Sequence, residues 1–233
     1  MSLVIQPPAA AVVPVVGAAP GAQFPVRRVF CVGRNYVEHA KEMGFTGREP
    51  PFFFMKPADT LVVVPEHETV RIQYPTLTSN YHHEIELVVA IGVGGTNIKA
   101  ADAPAHIWGY AVGLDMTRRD LQGEAKKLGR PWDTGKSFDL SAPIGPIRAA
   151  AECRIDAATA ISLEVNGKPR QQSTIGKLIW SVAEIIEHLS AAWELQPGDL
   201  IFTGTPEGVA AVGRGDVLKG SVAGVGSLQI ELV

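Results

Sequence analysis

The chain has 233 residues, 46% of them hydrophobic and 19% charged, with 24 glycines, 17 prolines and a formal net charge of -3. That length supports a sizeable core. The mild negative charge offers no basic field for a phosphate backbone, which argues against nucleic acid and for a small-molecule partner. Two cysteines, Cys31 and Cys153, are too few for a disulfide framework or a cysteine-rich zinc site, and packing in a reducing interior is the simpler reading.

Residues 1–25 are rich in alanine, valine and proline. They lack a basic leader region, and Pro7, Pro8, Pro14 and Pro20 interrupt any apolar helix, so they read as an N-terminal extension to a domain over 26–233. No run has transmembrane length without charges, so a cytoplasmic protein that makes no membrane contact is expected.

A short strand is predicted over 26–32, then a short helix with Asn35 as N-cap, Glu38 three residues on and Gly44 as its stop. Residues 52–56, 61–64 and 69–72 read as further strands, and the part up to about Pro57 as a small appendage on the main sheet. Strands follow over 84–91 and 108–116, with Thr117 as the N-cap of a helix that ends near Gly129. Beyond them come a hairpin turning at Asn166 and Gly167, the longest amphipathic helix over 181–193, and strands near 200–203, 216–218 and 228–233. Many short strands, few helices and no βαβ alternation predict a β-rich α+β fold.

On the strand over 84–91, residues two apart share a face, so Glu84 and Glu86 project together while Ile85, Leu87, Val89 and Ile91 point to the other side. The pair alone also fits a solvated sheet face. Val88 and Ala90 continue it without polarity, however, which places the two acids at the end of a strand buried on both sides. Asp115 ends the next apolar run in the same way, although a strand-end aspartate often only caps a turn. Three acids from two strand ends would make an all-oxygen site for a hard divalent cation such as Mg²⁺, Mn²⁺ or Ca²⁺.

His39 and Glu42 are three apart on the short helix, where a carboxylate can orient an imidazole; an ordinary surface helix also fits. His82 and His83 lack a metalloprotease spacing, because Leu87 stands where a second histidine would be needed. They read as supporting residues. Residues 129–137 end in Gly-Lys-Ser, but five residues separate the glycines and Pro131 and Trp132 are too bulky for a phosphate cradle. Lys136 remains either a lone cation after the acids or a solvated lysine. Residues 203–208 offer hydroxyls and backbone donors suited to a carboxylate, or simply a turn.

Taken together these pieces resemble the fumarylacetoacetate hydrolase family, in particular its short acylpyruvase-type members. They are Val32-Gly33-Arg34-Asn35-Tyr36 with His39 and Glu42, Lys56-Pro57, His83 through Leu87, Leu114-Asp115-Met116-Thr117 with Arg119 and Gln122, Lys136-Ser137-Phe138, and Thr203-Gly204-Thr205-Pro206-Glu207-Gly208. The resemblance implies the family's mixed β-roll, a homodimer, and Mg²⁺ or Mn²⁺ held by Glu84, Glu86 and Asp115. It also implies that the helix carrying His39 and Glu42 is a lid over bound substrate.

The expected reaction is hydrolytic cleavage of a carbon–carbon bond in a 2,4-diketo acid, with His39 and Glu42 activating water and Lys136 stabilising the oxyanion, assisted by Gln122. Arg34, Arg119, Gln122 and Thr205 are the expected substrate contacts, and Arg34, Arg118 and Arg119 are the candidates for a distal carboxylate. Fumarylpyruvate is the favoured substrate, which would place the enzyme in the breakdown of aromatic compounds. A decarboxylase, hydratase or tautomerase acting on the same chelated 2-oxo acid is the alternative.

Overall fold

A computed structural model describes residues 3–38 and 48–233. His39 and Glu42, with most of the expected short helix, lie outside the described residues. The fold is strand-rich, as expected. The main sheet has ten strands, ordered Gln23–Pro25, Val12–Val16, Ile147–Ala149, Ile107–Leu114, Ile85–Ile91, Asp199–Phe202, Arg28–Val32 and Phe53–Lys56, with Ala142–Ile144 and Leu61–Val63 branching from it. A five-stranded sheet joins Lys168–Thr174, Ala160–Val165, Val217–Val222, Gly226–Leu232 and Thr69–Ile72. A three-stranded one joins Thr117–Arg118, Tyr81–His82 and Ala211–Val212.

The alternation of side chains along each strand explains the layering. Every residue of Ile85–Ile91 is buried. Ile85 and Leu87, with Val112 and Leu114 of the neighbouring strand, pack against Leu163, Leu218, Ile230 and other residues of the five-stranded sheet. Val88, Ala90 and Ala111 face the opposite way, into a core shared with Val13, Phe24, Val29, Cys31, Ile147 and Phe202, all from the same main sheet or its margins. The sheet therefore rolls around its own inner core. Farther along the strands, Val89, Ile91, Phe30 and Ile201 pack beneath Ile185, Ile186 and Leu189 of the helix Val182–Ala192.

Several local signals act as the sequence predicts. The hairpin turns at Asn166 and Gly167, both with positive φ, 52° and 72°. The helix Arg119–Leu128 stops at Gly129 in the left-handed conformation.

Others differ. Arg118, not Thr117, is that helix's N-cap, because Thr117 still belongs to a strand and its hydroxyl donates to the Asp115 carbonyl at 3.1 Å. Asn35 uses its side chain for distant backbone, not for a helix end: Nδ2 donates to the carbonyls of Trp180 and Thr203, and Oδ1 accepts from Trp180 N. The part up to Pro57 is no appendage, since Arg28–Val32 lies between Asp199–Phe202 and Phe53–Lys56 in the sheet. Within the first 25 residues, Val12–Val16 pairs in parallel with Ile147–Ala149.

Candidate metal centre and its cationic surround

Antiparallel register brings the three acids together. Ile85 pairs with Leu114 and Glu86 with Gly113, and one step further the Asp115 amide donates to the Glu84 carbonyl at 2.9 Å. Directly paired residues project to one face, so Glu84, Glu86 and Asp115 converge on the face that carries Val88 and Ala111. A ligand oxygen from each lies within 4.8 Å of the others, and all three residues are buried. Gly113, between them, has no room for a side chain: a Cβ would stand 2.6 Å from both Phe202 and Val88.

Three buried carboxylates at this range repel strongly. Burial, and after it the charges of Asp115 and Glu84, push the Glu86 carboxyl well above the usual carboxylate range. Positive charge answers that repulsion. Lys136 Nζ donates to Glu84 Oε2 at 2.7 Å and to Asp115 Oδ2 at 2.6 Å. Arg119 bonds to Glu84 Oε1. Lys56 Nζ stands 2.9 Å from Asp115 Oδ1 but off the hydrogen-bonding direction, so among the described residues this buried oxygen has no hydrogen bond. An all-oxygen donor set with one oxygen unsatisfied fits a hard divalent cation.

Lys136 comes to the site on the short helix Asp133–Lys136 and is 2% exposed, so it is not a solvated lysine. Burial pulls its pKa down, but Asp115 and Glu84 outweigh burial and raise it, keeping the ammonium charged. Lys56 ends the strand Phe53–Lys56 and bonds the Lys136 carbonyl, Ser141 Oγ at 3.0 Å and Met116 O at 3.3 Å. It locks the Lys136 turn to the strand end that carries Asp115.

The loop 203–206 holds a carboxylate, and it is the protein's own: Gly204 N donates to Glu86 Oε2 at 2.7 Å. Gly204 has φ +102°, and a Cβ there would meet Asn35 at 2.7 Å, so only glycine serves. Thr205 Oγ1 accepts from Gln171 Nε2 at 2.8 Å, which leaves its hydroxyl proton as the remaining donor. Gln171 Oε1 also takes bonds from Ile85 N and His83 Nδ1, tying this loop to the base of the acid strand. His82 Nε2 lies 2.7 Å from Asn80 Oδ1; burial, with Arg119 next, lowers the His82 pKa to about 4, and burial lowers that of His83.

Of the expected substrate contacts, Arg119 is engaged with Glu84 and donates to Gln122 Oε1 at 2.7 Å, leaving the Gln122 amide nitrogen as donor. Arg34 lies with its guanidinium 5.0 Å from the Phe52 ring centre.

The family model for the C-terminal region of fumarylacetoacetate hydrolase matches residues 28–233. The chain belongs to the fumarylacetoacetate hydrolase family. A crystal structure of fumarylpyruvate hydrolase from Pseudomonas aeruginosa, in complex with Mn²⁺ and pyruvate, superposes with a TM-score of 0.96 at 54% identity and covers 100% of this chain and 99% of its own. That likeness includes residues 1–25. A fumarylpyruvate hydrolase of a Ralstonia species is 48% identical over 182 residues, 78% of this chain and 92% of the relative. The chain is also similar to a mitochondrial oxaloacetate tautomerase of Rattus norvegicus, 39% identical over 206 residues, 88% of this chain and 91% of the relative.

Membership accounts for the resemblance seen in the sequence, but not for every residue of this site. Lys56 appears in the matching motifs without a role, and nothing in its neighbourhood along the chain indicates that it meets an aspartate 59 residues away. Gln171, in a strand that reads as half of a surface hairpin, is fully buried at the centre of the network. An amide alternating with exposed arginine and glutamine was its only sequence signal.

Proposed function

We propose that this chain is a divalent-metal-dependent hydrolase that cleaves fumarylpyruvate to fumarate and pyruvate. The observation that carries the reading is the end-to-end likeness to the Pseudomonas aeruginosa enzyme of that name. The acid cluster is the chemical counterpart of that likeness.

In this reading Glu84, Glu86 and Asp115 hold Mg²⁺ or Mn²⁺, which when bound supplies a template for the 2-oxo acid and charge to stabilise an enolate. His39, oriented by Glu42, takes a proton from water, whose oxygen bonds to the distal carbonyl carbon. Lys136 is buried and fully charged; its ammonium, with the amide nitrogen of Gln122 and the hydroxyl of Thr205, donates to the oxygen that becomes negative. The bond between that carbon and the pyruvate methylene breaks, the methylene regains a proton, and one water is consumed for each fumarate and pyruvate released. Homodimeric assembly, a cytoplasmic location and a part in the breakdown of aromatic compounds belong to the same proposal. No described helix is long and apolar enough to cross a membrane.

The second reading, oxaloacetate tautomerisation, is favoured by the rat relative. Loss of diketo-acid absorbance on adding Mn²⁺ to the EDTA-treated protein, with fumarate and pyruvate as products, tests the first. His39→Ala is expected to lower fumarylpyruvate cleavage by at least about a hundredfold, the range for general-base removal. It should leave oxaloacetate decarboxylation, which needs no activated water, within a few-fold. Equal loss of both activities would refute water activation as the role of His39.

A further inference from the structure

Fumarylpyruvate carries a second carboxylate at the end remote from its 2-oxo acid group, and the sequence offers Arg34, Arg118 and Arg119 for it. The structure engages two of these elsewhere. Arg119 is held by Glu84 and Gln122. The Arg118 guanidinium lies 4.1 Å from the Phe138 ring centre and donates to Thr134 O at 3.3 Å.

A different cation stands in the right company. Arg119, Gln122 and Lys126 follow the i, i+3, i+7 spacing of one helix face, so Lys126 extends the row that begins at Glu84. It is half-buried, and among the described residues its ammonium has no ion pair or hydrogen bond, only a ring contact. Its Nζ lies 4.7 Å from the Trp132 ring centre. Trp132 meets Phe52 edge-on at 5.4 Å, and Phe52 carries the Arg34 guanidinium. Two touching rings thus hold a cation each.

Burial, then the charge of Arg119, and with it those of Lys136 and Arg34, lower the Lys126 pKa to about 8, against the attraction of Glu84. A lysine serving only to pack its stem would turn its ammonium to water, away from three like charges. A carboxylate entering here would relieve that repulsion.

We propose that Lys126, with Arg34 beside it, receives the carboxylate at the far end of the substrate, making the site selective for dicarboxylic 2-oxo acids. This inference rests on the hydrolase reading and specifies its substrate class.

The test compares fumarylpyruvate with acetylpyruvate, which lacks the distal carboxylate, on the Mn²⁺-loaded enzyme. Lys126→Met keeps the stem and removes the charge. It should lower kcat/KM for fumarylpyruvate roughly tenfold to hundredfold, the range for losing a hydrogen bond to a charged group. The loss should fall mainly on KM, with acetylpyruvate changed less than about twofold and Lys126→Arg recovering most of the fumarylpyruvate activity. Equal losses on both substrates, or none, would overturn the assignment.

Calorimetry on the protein loaded with Mn²⁺ and pyruvate separates this from failure of the hydrolase reading. If neither diketo acid is cleaved, that reading fails, while the anion site is still judged by affinity for fumarate against crotonate. The wild type should prefer fumarate about tenfold and Lys126→Met should not. A preference that survives the substitution, or is absent from the wild type, rejects the site.

Discussion

The ammonium of Lys136 sits between two carboxylates in a place water does not reach, and its contribution depends on what else is bound. Without a divalent cation it supplies, with Lys56 and Arg119, the positive charge that faces the carboxylates of Glu84 and Asp115. Removing one partner of a buried charge pair costs about 3–5 kcal/mol, because the remaining charge stays desolvated. Lys136→Met should therefore be destabilised by about 3 kcal/mol in EDTA, at the lower end because two cations remain. Mn²⁺ should restore much of that loss and stabilise the variant more than the wild type, where the ion competes with the ammonium for the same oxygens. Urea denaturation of both proteins with EDTA and with Mn²⁺ measures this. Equal stability in EDTA would show that Lys136 does not balance the acids.

The helix Arg119–Leu128 presents Arg119, Gln122 and Lys126 to the site, so its anchorage at the N-terminal end matters to everything on that face. Its N-cap residue, Arg118, makes no side-chain capping bond to the described residues; Asp120 takes over the task from within the first turn. Its carboxylate accepts from Thr78 Oγ1 at 2.6 Å, Ser79 N at 3.1 Å and Leu121 N at 2.9 Å. Burial alone would raise the Asp120 pKa, but these bonds outweigh it and hold the carboxyl below its ordinary value. A depressed carboxylate pKa gives stability that is present above the unfolded-state value, near 3.9, and is lost as pH falls through the folded-state value. Asp120→Asn should cost about 0.5–1 kcal/mol at neutral pH, a modest figure because the carboxylate is only partly buried. The gap from wild type should close in acid, as followed by thermal unfolding from pH 7 down to about 2.5. A gap independent of pH would assign the effect to shape and not to charge.

At this scale the sequence was most legible where one local rule decides. Period-two spacing placed Glu84 and Glu86 on one face, and Asn166-Gly167 fixed a hairpin. Asp115 needed the register between two strands, which spacing cannot supply, and became convincing in the sequence through the family's motif order. Thr117 looked like a cap because its type and position were right; a strand of two residues, made by pairing with Tyr81–His82, moved the helix start by one. Lys126 was illegible, since the face of the helix that meets the acids is decided by packing at Trp132 and Glu84 and not by residue type.

Across the whole molecule, the N-terminal strands and the acid cluster belong to one sheet yet load it at different ends. Val12–Val16 pairs with Ile147–Ala149, which pairs with Gly109 and Tyr110, whereas Asp115 lies beyond Gly113 at the far end of that same neighbouring strand, with Glu84 and Glu86 opposite it. Val13 is fully buried, and Phe24 is buried with its ring 5.6 Å from Trp108. Burying two such side chains stabilises a fold by about 3–6 kcal/mol. Deleting residues 1–25 should therefore lower Tm by many degrees or unfold the chain. Phe24→Ala, expected to cost about 3 kcal/mol, keeps the question open to measurement if the deletion does not fold. In whichever variant folds, Mn²⁺ affinity should stay within about threefold of wild type, because the hydrogen bonds that set the acids run through residues 84, 113 to 115 and 204 and not through the N-terminal strand. Calorimetric titration with Mn²⁺ decides it. An affinity that falls in step with stability would mean that the N-terminal strands shape the metal centre through the curvature of the whole roll.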